Sequence, residues 1–233
     1  MRRTYLRFKT MFGRARVYQV EDDAGEPVRL LEVGRIVQSG TYVSDDQCYD
    51  LVFEYLKKYD LMFSRSHGIG RIAVLGCGGY DYPEHLIAHH PEVTVDAVEI
   101  DPAITSIAQR YFFLDRLVEE FETERTGRLN LVNADALDFL QAPGPLYDAI
   151  VNDCFDAGKP PAHLTTRAFA ETVHSRLAPG GIYLTNIVAS PAFLHEQTAL
   201  LESVFAHAHA FPCSDDYLTE PDNVIVAASD SPL

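Results

Sequence analysis

The chain has 233 residues, 47 % hydrophobic and 23 % charged, enough to bury a sizeable core in one main domain with an appendage. Its net charge of −15 argues against nucleic acid as a partner and suits the attraction of cations, polyamines included. No apolar run approaches the roughly 20 residues of a membrane helix, and no signal-peptide core follows the first arginines, so no membrane contact and a cytoplasmic location are expected. The charge is uneven, because residues 1–16 hold Arg2, Arg3, Arg7, Lys9, Arg14 and Arg16 and no acid. Cys48, Cys77, Cys154 and Cys213 lie far apart without a Cys-x-x-Cys pair, which argues for reduced thiols rather than a zinc site or a disulfide framework.

The basic start reads as a targeting segment or, since Thr4 to Phe12 mixes apolar and basic residues in near alternation, equally as an edge strand. Ala15 to Val20 and Val28 to Val33 flank the turn-rich EDDAGEP, and Arg35 to Val43 reads as a further strand broken at Ser39-Gly40. From Asp45 the spacing of Tyr49, Val52, Phe53 and Leu56 predicts a helix capped by Asp45 or Asp46. Ser64 to Gly70 is a linker, so the chain divides into an N-terminal β-hairpin unit with a connecting helix, 1–62, and a main domain, 63–233.

That domain is organised around Arg71 to Asp101. Ile72 to Leu75 is an unbroken apolar run, the mark of a parallel strand covered on both faces. It ends at Gly76-Cys77-Gly78-Gly79, where glycine permits a sharp turn and lets a ligand approach bare backbone at the mouth of the next helix. A second strand, Val93 to Val98, delivers Glu99 and Asp101 about 20 residues on, where such folds place an acid for ribose hydroxyls. Turn and acid together indicate a nucleoside-containing cofactor. A dinucleotide fingerprint would need a third glycine at position 81, which is Asp81, so an adenosyl cofactor without a pyrophosphate is preferred over NAD.

Pro102 then opens a helix running in pieces towards Glu122, Leu129 to Val132 is the third strand, and Leu137 to Leu140 starts a short helix. Tyr147 to Val151 is the fourth strand, Thr165 to Leu177 a helix, Pro179-Gly180-Gly181 a turn and Ile182 to Ile187 the fifth strand. A helix near Ala192 to Val204 and strands near Ala206 to Phe211 and Asn223 to Ala228 complete the chain. This alternation predicts an α/β fold with a doubly wound, mostly parallel Rossmann-like sheet beside the small β-hairpin unit. Its site lies above the strand carboxyl ends, an edge that collects Asp81, Glu99, Asp101, Asp135, Asp153 and Asp156. Asp153-x-x-Asp156 at a strand mouth suits holding an amine and orienting its lone pair. Tyr80 and Tyr82 wall the pocket or pack at the helix start, and the loop bearing His163 is a lid or an ordinary surface loop. Cys154 reads as a packing residue. His85 and His89 stand four apart but lack a carboxylate placed to complete a site, so they read as a helix face and no metal is expected.

The hairpin with Val37-Gln38-Ser39, IAVLGCGG, VEIDP, NADALDFL, YDAIVNDCFD and PGGIYLTN together resemble the spermidine synthases, or polyamine aminopropyltransferases, which share the class I S-adenosylmethionine methyltransferase fold. The resemblance implies that Gly76 and Gly78 line the cofactor, with Glu99 at the ribose and Asp135 and Ala136 bordering the adenine; the glycine turn and the strand end themselves add Gly79 and Asp101 to the expected cofactor contacts. It implies Asp153 as the catalytic aspartate, Asp156 as the second acid of that loop and Gln38 as the glutamine of a substrate flap; Tyr80 and Asp81, which follow the glycine turn, are expected on the substrate side from their position. By analogy with the family a homodimer is expected.

Two departures stand out. The family's turn reads Gly-Gly-Gly-Asp-Gly, and its aspartate meets the amino end of decarboxylated S-adenosylmethionine; here that position is Gly79, with Asp81 nearby. The family's Tyr-x-Glu corresponds to Tyr49-Asp50-Leu51, with Asp50 one place off and, on a helix, about 100° away. The expected reaction is aminopropyl transfer from decarboxylated S-adenosylmethionine to a small amine, a diamine or polyamine, with Asp153 receiving a proton directly or through water. The alternatives are a small-molecule methyltransferase using intact S-adenosylmethionine and a non-catalytic nucleoside-binding protein.

Overall fold

The computed structural model describes residues 5–65, 68–156, 158–188, 190–213 and 223–233. The first four strands, β1 (Leu6–Thr10), β2 (Gly13–Glu21), β3 (Pro27–Val33) and β4 (Ile36–Tyr42), form an antiparallel meander in sequence order. The basic β1 is an edge strand, as its alternation predicts; Arg2 and Arg3 lie outside the described residues. Strand β4 runs unbroken through Ser39-Gly40, which pair with Leu31 and Leu30; the irregularity falls one step away, between Leu31 and Glu32.

The helix expected from Asp45 begins instead at Glu54. Residues 45–53 are turns, in which Thr41 Oγ1 donates to the Cys48 carbonyl at 2.9 Å and Leu51 bridges to Thr41. These bonds claim backbone that a helix would need, so the three-to-four spacing there records the packing of Tyr49, Phe53 and Leu56 against the core rather than a helical face. Tyr49, Asp50 and Leu51 are therefore not on a helix, and the rotation of Asp50 does not arise. Helix α1 (Glu54–Lys57), a 3-10 turn (Lys58–Asp60) and α2 (Leu61–Arg65) lead to the large sheet. A boundary at 62/63 falls inside α2, and within the expected linker Ser66 and His67 lie outside the described residues.

The large sheet starts with β5 (Arg71–Leu75), followed by α3 (Asp81–His89), β6 (Thr94–Glu99), α4 (Pro102–Tyr111), α5 (Leu114–Glu120), α6 (Thr123–Thr126), β7 (Leu129–Asn133), α7 (Ala136–Gln141), β8 (Tyr147–Asn152), α8 (Arg167–Arg176), β9 (Leu177–Val188), α9 (Pro191–Glu202), β10 (His207–Pro212) and β11 (Asn223–Ser229). Spatial order is β10-β11-β9-β8-β5-β6-β7, with β5 to β9 parallel and β10 and β11 antiparallel. Pro179-Gly180-Gly181 is no separate turn but an irregularity inside β9: Tyr147 pairs with Leu177 while Ala149 pairs with Ile182.

Alternate residues of β5 enter different cores, Ile72 and Val74 on one face of the sheet, Ala73 and Leu75 on the other. Burial on both faces explains the unbroken apolar run. The first of these cores is continuous with Ala15, Val17, Leu31 and Val33 of the small sheet and with Leu56, Tyr59 and Met62 of the connecting segment. No helix among the described residues is long and apolar enough to cross a membrane.

Candidate active site

Strand order reverses at β5, with β6 and β7 on one side and β8 and β9 on the other, so the crossing helices leave a crevice above the β5 and β8 carboxyl ends. The chain must turn out of β5 without filling that crevice. Gly76 does so at φ +79°, where a Cβ would lie 2.7 Å from the Asp153 carbonyl oxygen, so only glycine fits against β8. The Asp153 amide donates to the Leu75 carbonyl at 2.8 Å and the Gly76 amide to Val98 at 2.9 Å, locking three strand ends together. Above them opens a cavity of about 700 Å³.

Glu99 ends β6 and faces this cavity. Its Oε2 accepts from the Cys77 and Gly78 amides at 3.1 and 3.3 Å, and its Oε1 from the Asp101 amide at 2.9 Å. Burial raises the Glu99 carboxyl and these three amides oppose the rise. Oε2 is thereby filled, and Oε1 keeps a lone pair for a further donor. Asp101, by contrast, turns away from the cavity. Its Oδ1 caps α4 at the Ala103 amide and its Oδ2 accepts from Met11 at 2.6 Å, so an acid read for the ribose is committed to a helix start and to the small sheet.

Asp153 follows β8 directly. Asn186 Nδ2 donates to its Oδ1 at 2.9 Å and the Tyr55 hydroxyl to its Oδ2 at 3.2 Å. Tyr59, buried beside the same carboxylate, makes no hydrogen bond of normal geometry there. Burial pushes Asp153 up to about 6, against the pull of the Asn186 and Tyr55 donors. Asp156 is exposed on the cavity rim, where its backbone exchanges two hydrogen bonds with Lys159. It is not among the groups that raise Asp153, so burial alone does what a second acid was expected to share.

On the opposite wall the small sheet closes over the glycine turn. Ser39 Oγ accepts from the Gly79 amide at 2.6 Å, and the Gly40 amide donates to Asp81 Oδ2 at 3.0 Å. Burial pushes Asp81 up to about 7, with the Gly40 amide pulling it back. A Cβ on Gly79 would lie 2.7 Å from Ser39 Cβ and 2.9 Å from Asp81 Oδ1. The space that a side chain at 79 would take is thus held by Ser39, and the acid enters the cavity from position 81. Gly79→Asp is expected to destabilise by about 1–3 kcal/mol through overpacking, read as a lowered urea midpoint. An unchanged midpoint would show that the wall yields.

Gln38, Gly76, Gly78, Asp81, Glu99, Asp135, Ala136, Asp153 and Asp156 therefore share one cavity, whereas Gly79, Tyr80 and Asp101 do not line it. Tyr80 takes a left-handed φ of 69° at the start of α3, which turns its ring inward to meet Thr105 Oγ1 at 2.9 Å; Tyr82 reaches the cavity instead. Tyr49, Asp50 and Leu51 are absent from the lining. Asp135 caps α7 through the Leu137 amide and meets His163 Nε2 at 3.0 Å, which fastens the loop over the cavity edge. Cys154 lines the cavity, and burial holds its thiol well above the usual range, unsuited to nucleophilic work. Sequence reasoning missed Tyr55, Tyr59 and the pairing role of Ser39; Asn186 had one signal, a polar residue inside the apolar run of β9.

A Rossmann-like sheet with an antiparallel terminal pair, a glycine turn at the reversal point and an acid ending the second strand define the class I methyltransferase-type fold. A model of the spermine/spermidine synthase domain matches residues 62–221, and the chain belongs to that family. A polyamine aminopropyltransferase of Vibrio vulnificus is 31 % identical over 144 residues, 60 % of this chain and 45 % of that one. The human eEF1A lysine and N-terminal methyltransferase is 28 % identical over 147 residues, 58 % of this chain and 20 % of that one. The chain spans less than two thirds of either. Among solved structures, a probable spermidine synthase from Corynebacterium glutamicum aligns with TM-score 0.80 at 21 % identity, covering 99 % of this chain and 81 % of that one. Spermidine synthase from Thermotoga maritima aligns at 0.71 and 15 % identity, covering 97 % and 72 %. These two structures share the fold.

Proposed function

We propose that the chain is an aminopropyltransferase, moving an aminopropyl group from decarboxylated S-adenosylmethionine to a small diamine or polyamine. The observation that carries this reading is Asp153, a carboxylate fixed by Asn186 and Tyr55 at the cavity wall and raised to about 6 by burial. Names among the relatives support it, since the family model and the Vibrio vulnificus protein both concern polyamine synthesis. Residues 1–62 would serve as the substrate flap and 63–233 as the cofactor-binding domain.

The residues present fit the adenosyl co-substrate. Glu99 would accept from ribose hydroxyls, Asp135 and Ala136 would border the adenine beside the apolar Ile100 and Ile104, and the bare backbone of Gly76 and Gly78 would admit the chain bearing sulfur. Among the described residues lining the cavity none is lysine or arginine, while Asp81 and Asp153 both line it. Such a lining favours an ammonium end over a carboxylate, and so the decarboxylated co-substrate over the intact one. When bound, the sulfonium supplies an activated methylene, which the amine nitrogen attacks while the carbon–sulfur pair leaves with methylthioadenosine. The protein's share is to orient the amine by hydrogen bonds, to exclude water and to take up the released proton at Asp153, directly or through water. Gln38 and Asp156, on the flap and rim, would hold the distal part of the acceptor.

Calorimetry with the two co-substrates side by side tests the choice. Tighter binding of the decarboxylated form is expected; tighter binding of S-adenosylmethionine would favour methyl transfer, the reading to which Gly79 in place of the family acid and the methyltransferase relative point. Because the base works ionised, kcat/KM is expected to fall tenfold per pH unit below about 6. An acid limb with its midpoint near 4 would remove Asp153 from the base's role.

A further inference from the structure

Outside the cleft, three ligand-bearing side chains meet at the seam between the connecting segment and the first helix of the large sheet. Asp60 ends the 3-10 turn, His85 lies mid-way along α3, and His90 terminates that helix. One ligand atom from each lies within 4.8 Å of the others. The sequence offers His85 and His89 as the helical pair, with no carboxylate in place; the fold supplies Asp60 and exchanges His89 for His90. On a continued helix His90 would stand about 140° from His85. It leaves helical geometry, at φ −124° and ψ 82°, and so joins the cluster, while His89 Nε2 meets Asp50 Oδ1 at 3.1 Å on another side.

Two of the three ligands are held from behind, while His85 Nδ1 is buried without a hydrogen-bond partner. The Tyr82 hydroxyl donates to Asp60 Oδ1 at 3.1 Å, leaving Oδ2 to face His85 Nε2 at 3.5 Å. The His90 ring stacks on Phe63, centroids 3.9 Å apart and planes 6° from parallel. A carboxylate fixed through one oxygen and an imidazole fixed by its face resemble the outer support that metal ligands receive. Nitrogen and oxygen ligands about 2.0–2.2 Å from a tetrahedral ion stand about 3.4 Å apart, a small rotation from the separations present. His85 and His90 side chains are 15 % and 23 % exposed and that of Asp60 38 %, so the cluster is reached from solvent.

We propose that Asp60, His85 and His90 form a site for one divalent transition cation of the zinc class, with solvent completing its coordination. Two imidazoles and one carboxylate suit zinc and its neighbours in the transition series and disfavour magnesium and calcium, which take oxygen ligands. The ion would staple the connecting segment to α3. Tyr82 links that staple to the cleft, because its ring packs on Tyr59 at 5.0 Å and both line the cavity.

The test is calorimetric titration of the chelator-stripped full chain with Zn2+ and, separately, Mg2+. One Zn2+ per chain and no Mg2+ at the same concentrations are expected, with Asp60→Asn and His90→Gln each weakening Zn2+ at least tenfold. Circular dichroism confirms that the variants fold. Co2+ should give the intense visible bands of a four-coordinate site in the unaltered chain and lose them in His90→Gln. Equal Zn2+ affinity in the unaltered chain and both variants, or no saturable binding, would overturn the proposal and leave an Asp60–His85 ion pair as the cluster's role.

Discussion

Asp153→Asn is expected to lower kcat for aminopropyl transfer by about a thousandfold while leaving KM within a few-fold. Asparagine has the same shape: its oxygen still accepts from Asn186 Nδ2, and its amide nitrogen donates to the Tyr55 hydroxyl oxygen, which turns from donor to acceptor, so the strand end and the cavity wall keep their geometry. What it removes is a carboxylate able to take up a proton. General bases contribute about 10²–10⁴-fold, and the proximity supplied by the rest of the cavity survives. Replacing the charge also takes away an ionised group that burial opposes, so the variant should be no less stable at pH 8. Steady-state kinetics by mass detection of the polyamine product, with a urea midpoint as control, checks both parts. Turnover within threefold of the unaltered chain would refute the assignment.

Asp81→Asn should have the largest effect on stability, and in the favourable direction. Burial moves this carboxyl from 3.8 to about 7, so in the folded state it holds its proton where the unfolded chain has lost it. Between about pH 4 and 7 the folded state binds more protons, and stability falls as pH rises through that window; Asp153, raised to about 6, adds to the fall. Below pH 4 both states are protonated and the term vanishes. At pH 8 the folded protein carries the full cost, on the order of 4 kcal/mol. Asparagine abolishes it while keeping an oxygen for the Gly40 amide. Urea denaturation should show a gain of that order at pH 8 and almost none at pH 4. The same variant should bind the decarboxylated co-substrate at least tenfold more weakly, since a cation is what would neutralise Asp81. An equal shift at both pH values would mean that packing, not charge, controls this position.

The part of the site built from strand ends was legible in the sequence, because a parallel sheet covered on both faces writes itself as unbroken apolar runs and its carboxyl edge follows from the topology. Gly76, Gly78, Glu99, Asp135 and Asp153 come from that logic and share the cavity. The parts that depend on the direction of a side chain were not legible. Tyr80 and Tyr82 stand two residues apart at a helix start, and the left-handed φ at Tyr80 decides which one faces the cavity. Asp101 sits at the right place for a ribose, but the first free amides of α4 and the Met11 amide claim it. Tyr55 and Ser39 reach the site from segments 98 and 40 residues from their partners, distances at which spacing carries no information. The turns at 45–53 borrowed a helical rhythm from burial alone.

The apolar core that runs without a break from the small sheet into β5 and α3 limits how the cleft opens. Two bodies joined through a thin, polar seam swing on a hinge, as ligand-clasping proteins do. Here a hinge would have to tear Leu31, Tyr59 and Met62 from Ile72 and Leu86, exposing side chains that are almost wholly buried. Breathing of that kind costs a large share of global unfolding. Traffic in and out of the cavity is therefore assigned to its rim, where Phe12, Val37 and Ile100 are already exposed and can move without breaking the core. If the chain turns over as proposed, product departs past these rim residues rather than by rotation of the small sheet away from the large one.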